Sequence, residues 1–373
     1  MKWGPEQEKA LSLAGAWLRI KYQPFFYLAG YAGTGKTTLA MHIARHAKGK
    51  VAFAAFTGKA AKVMRQKGCA GAKTVHSLIY YTEVDQATGK VFVQIKEHAL
   101  DDVALVVVDE CSMVNEEVGK DLLSFGVPVL VLGDPGQLPP VHGAGFFTTG
   151  TPDFMLTEVH RQAKDSPIIR LATDVREGRP LPSCLDEPGL RVVSRAELDR
   201  NDVLLADTVI VGRNATRPAF NRRLRELHGF RDRLPMAGET LVCLRNSRNI
   251  RQSSVFNGET FQVVKRKRSR KDAHGSIVRL DLSDPDDAAR GVFEVSVRHQ
   301  FFDNEADAAR LPHQAHYGLQ QFTFGYTITV HKAQGSQWSR VCLFDESDAF
   351  REDARKHRYT AITRAAQHLT MVI

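Results

Sequence analysis

Short apolar runs alternate with stretches of helical periodicity through the first half of the chain. The runs at 25–29, 51–56, 104–108 and 127–132 are separated by amphipathic segments. This rhythm predicts parallel strands joined by helices, an α/β arrangement. A second set of runs at 208–211, 322–328, 341–344 and 369–373 predicts a second α/β domain. Two stretches break the pattern. Residues 81–97 read as two strands around Ala87-Thr88-Gly89, a protruding hairpin. Residues 239–302 carry alternating stretches at 259–264, 276–282 and 292–297, which predict a small all-β barrel inserted into the second α/β domain. The expected domains are therefore 1–158, then 159–238 with 303–373, with 239–302 as the insertion.

At 373 residues, 43% hydrophobic and 25% charged, the composition is that of a soluble globular protein with room for two or three domains. No run of about 18 apolar residues occurs, so no membrane span is expected. The segment Met1-Lys2-Trp3-Gly4-Pro5-Glu6 lacks the apolar stretch of a secretory signal. Five cysteines (69, 111, 184, 243 and 342) are dispersed without metal-ligand spacing, as expected of reduced thiols in the cytoplasm. The net charge of +9 points to a polyanionic partner.

The chemistry begins at residues 30–37, Gly-Tyr-Ala-Gly-Thr-Gly-Lys-Thr, between an apolar strand and a helical pattern that starts at Thr38. At such a junction small residues (Gly33, Thr34, Gly35) let the backbone curl so that its N–H groups face an anion. Lys36 then reaches the β/γ-phosphates of a nucleotide, and the hydroxyl of Thr37 can ligate Mg²⁺. Thr38, where the helical pattern starts, is read as nucleotide-binding along with Gly33, Thr34, Gly35, Lys36 and Thr37. The expected cofactors are ATP and Mg²⁺.

Residues 104–108 run into Asp109 and Glu110. A buried strand tip beside the phosphate loop offers Asp109 to the magnesium shell and Glu110 to the attacking water. The strand before Gly133-Asp134-Pro135-Gly136-Gln137 delivers further polar groups to the same sheet edge, where Gln137 is placed to sense a γ-phosphate.

These motifs, with Leu156-Thr-Glu-Val-His-Arg161-Gln162, Gly325-Tyr-Thr-Ile-Thr-Val-His331-Lys332-Ala-Gln334-Gly335-Ser336 and Tyr359-Thr-Ala-Ile-Thr-Arg364-Ala365, resemble superfamily 1 helicases, and within them the RecD/Dda-like branch, superfamily 1B. The resemblance runs from Gln7 to Ala365 in the family's motif order. It implies two RecA-like parallel-sheet P-loop domains, with the hairpin as a strand-separating pin and the insertion as an SH3-like barrel. It implies an ATP-dependent DNA helicase moving 5′ to 3′ on single strands. In this reading Gln7 contacts adenine, Gly335 lies at the nucleotide, and Arg161 and Arg364 approach the γ-phosphate. Thr57, Lys59, His76 and Ser77 match segments that grip DNA in the first domain; Thr329, His331 and Lys332 match their counterpart in the second. Phe92 is placed in the pin, where an aromatic ring can stack on a base. The implied partners are single-stranded DNA and single/double-strand junctions, with the protein a monomer. Two alternatives stay open: an RNA helicase, and a nucleic-acid-stimulated ATPase or scaffold without unwinding activity.

The run 265–271, Lys-Arg-Lys-Arg-Ser-Arg-Lys, reads as a basic loop between two barrel strands, open to phosphate contact or simply solvated.

Overall fold

The structure, a computed structural model, describes the backbone of residues 3–20, 22–84, 91–139, 145–159, 165–250, 253–285 and 287–373. The chain divides into two compact units, one formed by 1–82, 93–198 and 333–373, the other by 83–92 and 199–332.

The first unit is built on a parallel six-stranded sheet. Its spatial order is Lys73–Thr74, Lys50–Ala55, Val103–Asp109, Val129–Gly133, Phe25–Gly30 and Phe154–Leu156, and each neighbouring pair is parallel. The strands are apolar at nearly every position because helices cover both faces, leaving no solvent side for polar residues. On one face Phe26, Leu28, Leu105, Val107, Leu130 and Leu132 pack with Trp17, Leu39 and Ile43. These partners come from the helices Pro5–Ile20 and Lys36–Ala44. On the other face Ala29, Val106, Val108, Val129 and Val131 pack with Val75, Ile79, Val118 and Leu122. All the predicted strands of this half are present, shifted by one or two residues at their ends.

The same unit holds a second group of strands. Ala365–Val372 pairs in parallel with both Leu190–Val193 and Trp338–Phe344, and Leu185–Glu187 runs antiparallel along the outer side of Leu190–Val193.

In the second unit Thr208–Val211 pairs in parallel with Thr327–Thr329. An antiparallel sheet follows the order Arg270–Asp272, Gly275–Ser283, Thr260–Arg266, Thr240–Cys243 and Phe322–Phe324, with Val292–Arg298 also pairing with Gly275–Ser283. Its core is Phe261, Phe293 and Phe322 with Leu241, Val263, Leu280 and Leu282.

Two expectations are corrected here. The run 322–328 is two strands, not one: Phe322–Phe324 joins the antiparallel sheet and Thr327–Thr329 the parallel pair. Gly325 makes the break, because a Cβ there would lie 2.8 Å from the Leu241 carbonyl carbon and 2.9 Å from Val242 N. The basic run 265–271 is not a loop throughout, since its ends belong to the strands Thr260–Arg266 and Arg270–Asp272. Lys267 lies 2.7 Å from both Asp281 and Glu294, and Arg266 lies 2.8 Å from Asp232. Part of the charge is therefore neutralised locally.

The expected hairpin is present as the paired strands Tyr80–Val84 and Val91–Ile95; its turn and the Phe92 side chain lie outside the described residues. Among the described residues no helix is long and apolar enough to cross a membrane.

Candidate nucleotide site

The site forms at the ends of the parallel strands Phe25–Gly30, Val103–Asp109 and Val129–Gly133, where sheets of this kind bind ligands. Gly33 and Gly35 both adopt φ near 80°, which a side chain would strain. This curls the loop so that the helix Lys36–Ala44 begins at Lys36, two residues before the pattern suggested. Thr34 is buried, with its hydroxyl donating to Tyr31 O at 2.8 Å. Lys36 Nζ folds over the loop mouth, donating to Gly30 O and Tyr31 O at 2.5 and 3.0 Å. Thr38 is exposed on the helix.

Thr37 Oγ1 donates to Asp109 Oδ2 at 3.2 Å. A hydroxyl and a carboxylate so close supply the hard oxygen ligands that Mg²⁺ selects, with room left for phosphate oxygens and water. Among the described residues no cluster of three or more His, Cys, Asp or Glu could hold a metal ion. Asp109 Oδ1 in turn accepts from the Glu110 amide at 2.9 Å.

Glu110 has a left-handed backbone at φ 54°, ψ 46°, a strained conformation costing about 1–3 kcal/mol in a non-glycine residue. That turn directs its carboxylate toward Arg364, with Nη1 to Oε1 at 4.0 Å. Burial pushes the Glu110 carboxyl pKa up; Arg364 and Lys36 pull it down, and Asp109 and Asp134 add to the rise. Arg364 is itself buried, donating to Thr360 O (3.0 Å), Ser336 O (3.1 Å) and Thr363 Oγ1 (3.1 Å). Its charge is thus fixed in place before any reaction.

Gln137 is buried and its Oε1 finds no hydrogen-bond partner among the described residues. A buried carbonyl of this kind costs about 1–3 kcal/mol unless something binds it. Gln7 is buried under the loop, with Nε2 donating to Thr34 O at 3.3 Å. Gly335 has φ 71°, and a Cβ on it would meet Ala60 at 2.9 Å and Thr57 Oγ1 at 3.2 Å.

Tyr359 is a side chain to which the sequence reading gave no role. Its hydroxyl donates to Asp134 Oδ2 at 2.7 Å and accepts from the Ala32 amide at 3.0 Å. One buried phenol therefore ties the phosphate loop, the Gly133–Gln137 turn and the helix Ala354–Ile362 together. Burial and the neighbouring Asp134 hold it firmly protonated. Its signal in the sequence was only its place in the motif that ends at Arg364. Close by, Gln334 Nε2 donates to Leu138 O and Leu138 N to Thr360 Oγ1, both at 2.9 Å.

The residues matched to DNA segments are spread more widely. Thr57 caps the helix Gly58–Gln66, accepting from Ala60 N. Lys59 Nζ lies 3.8 Å above the Trp338 ring. His76 is exposed beside Phe56 and Tyr80. Ser77 donates its amide to the capping residue Thr74. Thr329 is only 2% exposed in its strand, while His331 and Lys332 are half-buried. Burial pushes the Lys332 pKa down, as does the nearby Arg217, while Glu305 pulls it up. Arg161 lies outside the described residues.

A glycine-curled loop with its lysine, a threonine paired to a strand-end aspartate, and a half-buried glutamate faced by an arginine define the class: a P-loop nucleotide-binding domain on a RecA-like parallel sheet. An AAA domain model matches residues 14–188, and a UvrD-like helicase C-terminal domain model matches 324–372. The chain is 28% identical over 366 residues to the ATP-dependent RecD2 DNA helicase of Deinococcus radiodurans, covering 91% of this chain and 45% of that protein. It is 35% identical over 167 residues to the ATP-dependent DNA helicase dda of Enterobacteria phage T4, covering 40% of this chain and 37% of that one. It therefore spans less than half the length of these curated relatives. Its fold is shared with a Pif1 helicase from Bacteroides solved in complex with ADP-AlF3 and single-stranded DNA: TM-score 0.60, 16% identity, 100% of this chain and 92% of that one. The chain is thus similar in sequence to the RecD2 and dda helicases and shares its fold with Pif1.

Proposed function

We propose that the chain is an ATP-dependent DNA helicase that moves along single-stranded DNA in the 5′ to 3′ direction and opens duplexes at junctions. The carrying observation is the Arg364–Glu110 approach of 4.0 Å, at a strand end that also presents Asp109 to Thr37. A switch that only binds nucleotide needs no carboxylate held against a fixed, buried guanidinium. Hydrolysis needs both: the carboxylate orients and deprotonates a water, and the arginine offsets charge on the transferring group.

In this reading Lys36 and the loop amides hold the β- and γ-phosphates, and Gln7 reads the base. Thr37 and Asp109 hold Mg²⁺, which when bound neutralises charge on the phosphate oxygens. The Gln137 carbonyl, without a hydrogen-bond partner among the described residues, reports the state of the terminal phosphate in this reading, and Arg161 supplies a second cation. Thr57, Lys59, His76, Ser77, Thr329, His331 and Lys332 track the strand, with Phe92 at the pin. Phosphate contacts of this kind position DNA without reading its sequence.

Residues 1–158 form the first RecA-like domain in this assignment, and 159–238 with 303–373 the second. The antiparallel order and aromatic core of the inserted strands support reading 239–302 as an SH3-like barrel. Five free cysteines suit a reducing compartment such as the cytoplasm, and the chain is read as a monomer.

The test is phosphate release and strand separation. Release is expected to rise with poly-dT and much less with poly-U, and a fork with a 5′ overhang should unwind while one with a 3′ overhang does not. Equal stimulation by poly-U favours an RNA helicase. Stimulated hydrolysis without unwinding of either fork leaves an ATPase scaffold.

A further inference from the structure

A cavity of about 980 Å³ opens in the second unit between the helix Arg217–Leu227 and the segment around the helices Gln300–Asp303 and Glu305–Ala309. Arg222, Arg231 and Arg233 line it together with the rings of Phe230 and Phe302. At one wall three charges meet. Arg217, whose side chain is only 6% exposed, donates through Nη2 to Glu305 Oε2. Lys332 Nζ lies 3.9 Å from Glu305 Oε1, an ion-pair distance too long for a hydrogen bond. Arg217 Nε, buried with the rest of that side chain, has no hydrogen-bond partner among the described residues.

The arrangement holds two cations and one carboxylate, so it carries a surplus positive charge and an unused buried donor. A guanidinium grips carboxylate and phosphate through the same fork. Glu305 extends from a five-residue helix whose first turn is capped by Asn304, so the carboxylate enters the cavity from a different element than either cation.

We propose that Glu305 is a built-in competitor for backbone phosphate: its carboxylate occupies the Arg217–Lys332 pair and is displaced when single-stranded DNA binds. This rests on the reading above that the chain binds single strands, and it adds a residue that sets how tightly. The competitor lowers affinity for any strand that fails to displace it, which favours release and discourages idle binding. It also alters salt dependence. When a phosphate replaces a tethered carboxylate, the cation released from the strand is offset by one drawn to the freed carboxylate. With the carboxylate gone, that offset is lost and the release counts in full.

The experiment follows the fluorescence anisotropy of a fluorescein-labelled oligo-dT strand across a series of KCl concentrations. Wild type, Glu305→Gln and Glu305→Asp are compared. Glu305→Gln is expected to steepen the slope of log K against log salt by about 0.7, the contribution of one single-strand phosphate, which near 0.1 M salt is about fivefold tighter binding. Glu305→Asp keeps the charge on a shorter arm and should fall between the two. An unchanged slope and affinity in either variant, or weaker binding, overturns the competitor. Should Glu305→Gln not fold, Glu305→Asp alone decides. Absence of binding by wild type sinks the DNA reading and the inference with it; binding by wild type with no change in the variants sinks the inference only.

Discussion

The Tyr359 hydroxyl donates to Asp134 Oδ2 at 2.7 Å across 225 residues of sequence, and accepts from the Ala32 amide at 3.0 Å. Removing that one oxygen leaves a buried carboxylate short of a donor and a loop amide short of an acceptor. Tyr359→Phe is expected to lower stability by about 1–3 kcal/mol, the cost of stranding a buried polar group. It should also cut ATP turnover, because the loop loses its tie to the helix that ends two residues before Arg364. Denaturant melts and steady-state phosphate release measure the two effects separately.

Glu110 faces the nucleotide loop from a strained turn, and its proposed role is that of base. Glu110→Gln is nearly isosteric and keeps the Asp109–Thr37 pair. Turnover should fall about 10²–10⁴-fold, the usual worth of a positioned base. Nucleotide affinity, read by a fluorescent ATP analogue, should stay near wild type. A parallel loss of affinity would make Glu110 a structural acid rather than a base.

The pH profile tests the same carboxylate from another side. Burial pushes the Glu110 pKa up, and Arg364 opposes the rise. Activity that needs the ionised form is therefore lost as pH falls through a raised pKa, so the acidic limb should lie above the ordinary glutamate range. In Arg364→Ala the opposing charge is gone and the limb should move to still higher pH, on top of a large fall in maximal rate. A limb that stays put, or moves down, excludes Glu110 as its source.

Arg225 and Glu239 form a buried pair at 2.6 Å, with Glu239 fully buried. Tyr326 also donates to Glu239, at 3.3 Å. Arg225→Ala leaves that carboxylate uncompensated and should cost about 3–5 kcal/mol, read as a shift in the urea midpoint. The double variant Arg225→Met/Glu239→Leu should recover most of the loss.

The parallel sheet was legible because its strands are apolar on both faces and its motifs sit at strand ends. The phosphate loop was equally plain, since only Gly33 and Gly35 can take the φ values found there. Less visible was the division of 322–328 between two sheets. Its cause is the close approach of Leu241 and Val242 to Gly325, a contact that local pattern does not encode. Tyr359 was hidden for a related reason: both of its partners are remote in sequence. The basic run 265–271 misled because charge counting cannot see that Asp281, Glu294 and Asp232 come to meet it. For Thr57 and Ser77, the hydroxyls that suit a phosphate backbone also take part in helix caps, so residue type alone could not separate the two uses.

Only Gly325 and Tyr326 lie between the last antiparallel strand, Phe322–Phe324, and Thr327–Thr329. A tug on the inserted sheet reaches the neighbouring parallel pair along a taut cord, with almost no slack to absorb it. Lengthening that cord by a few flexible residues would uncouple the two mechanically while leaving each folded.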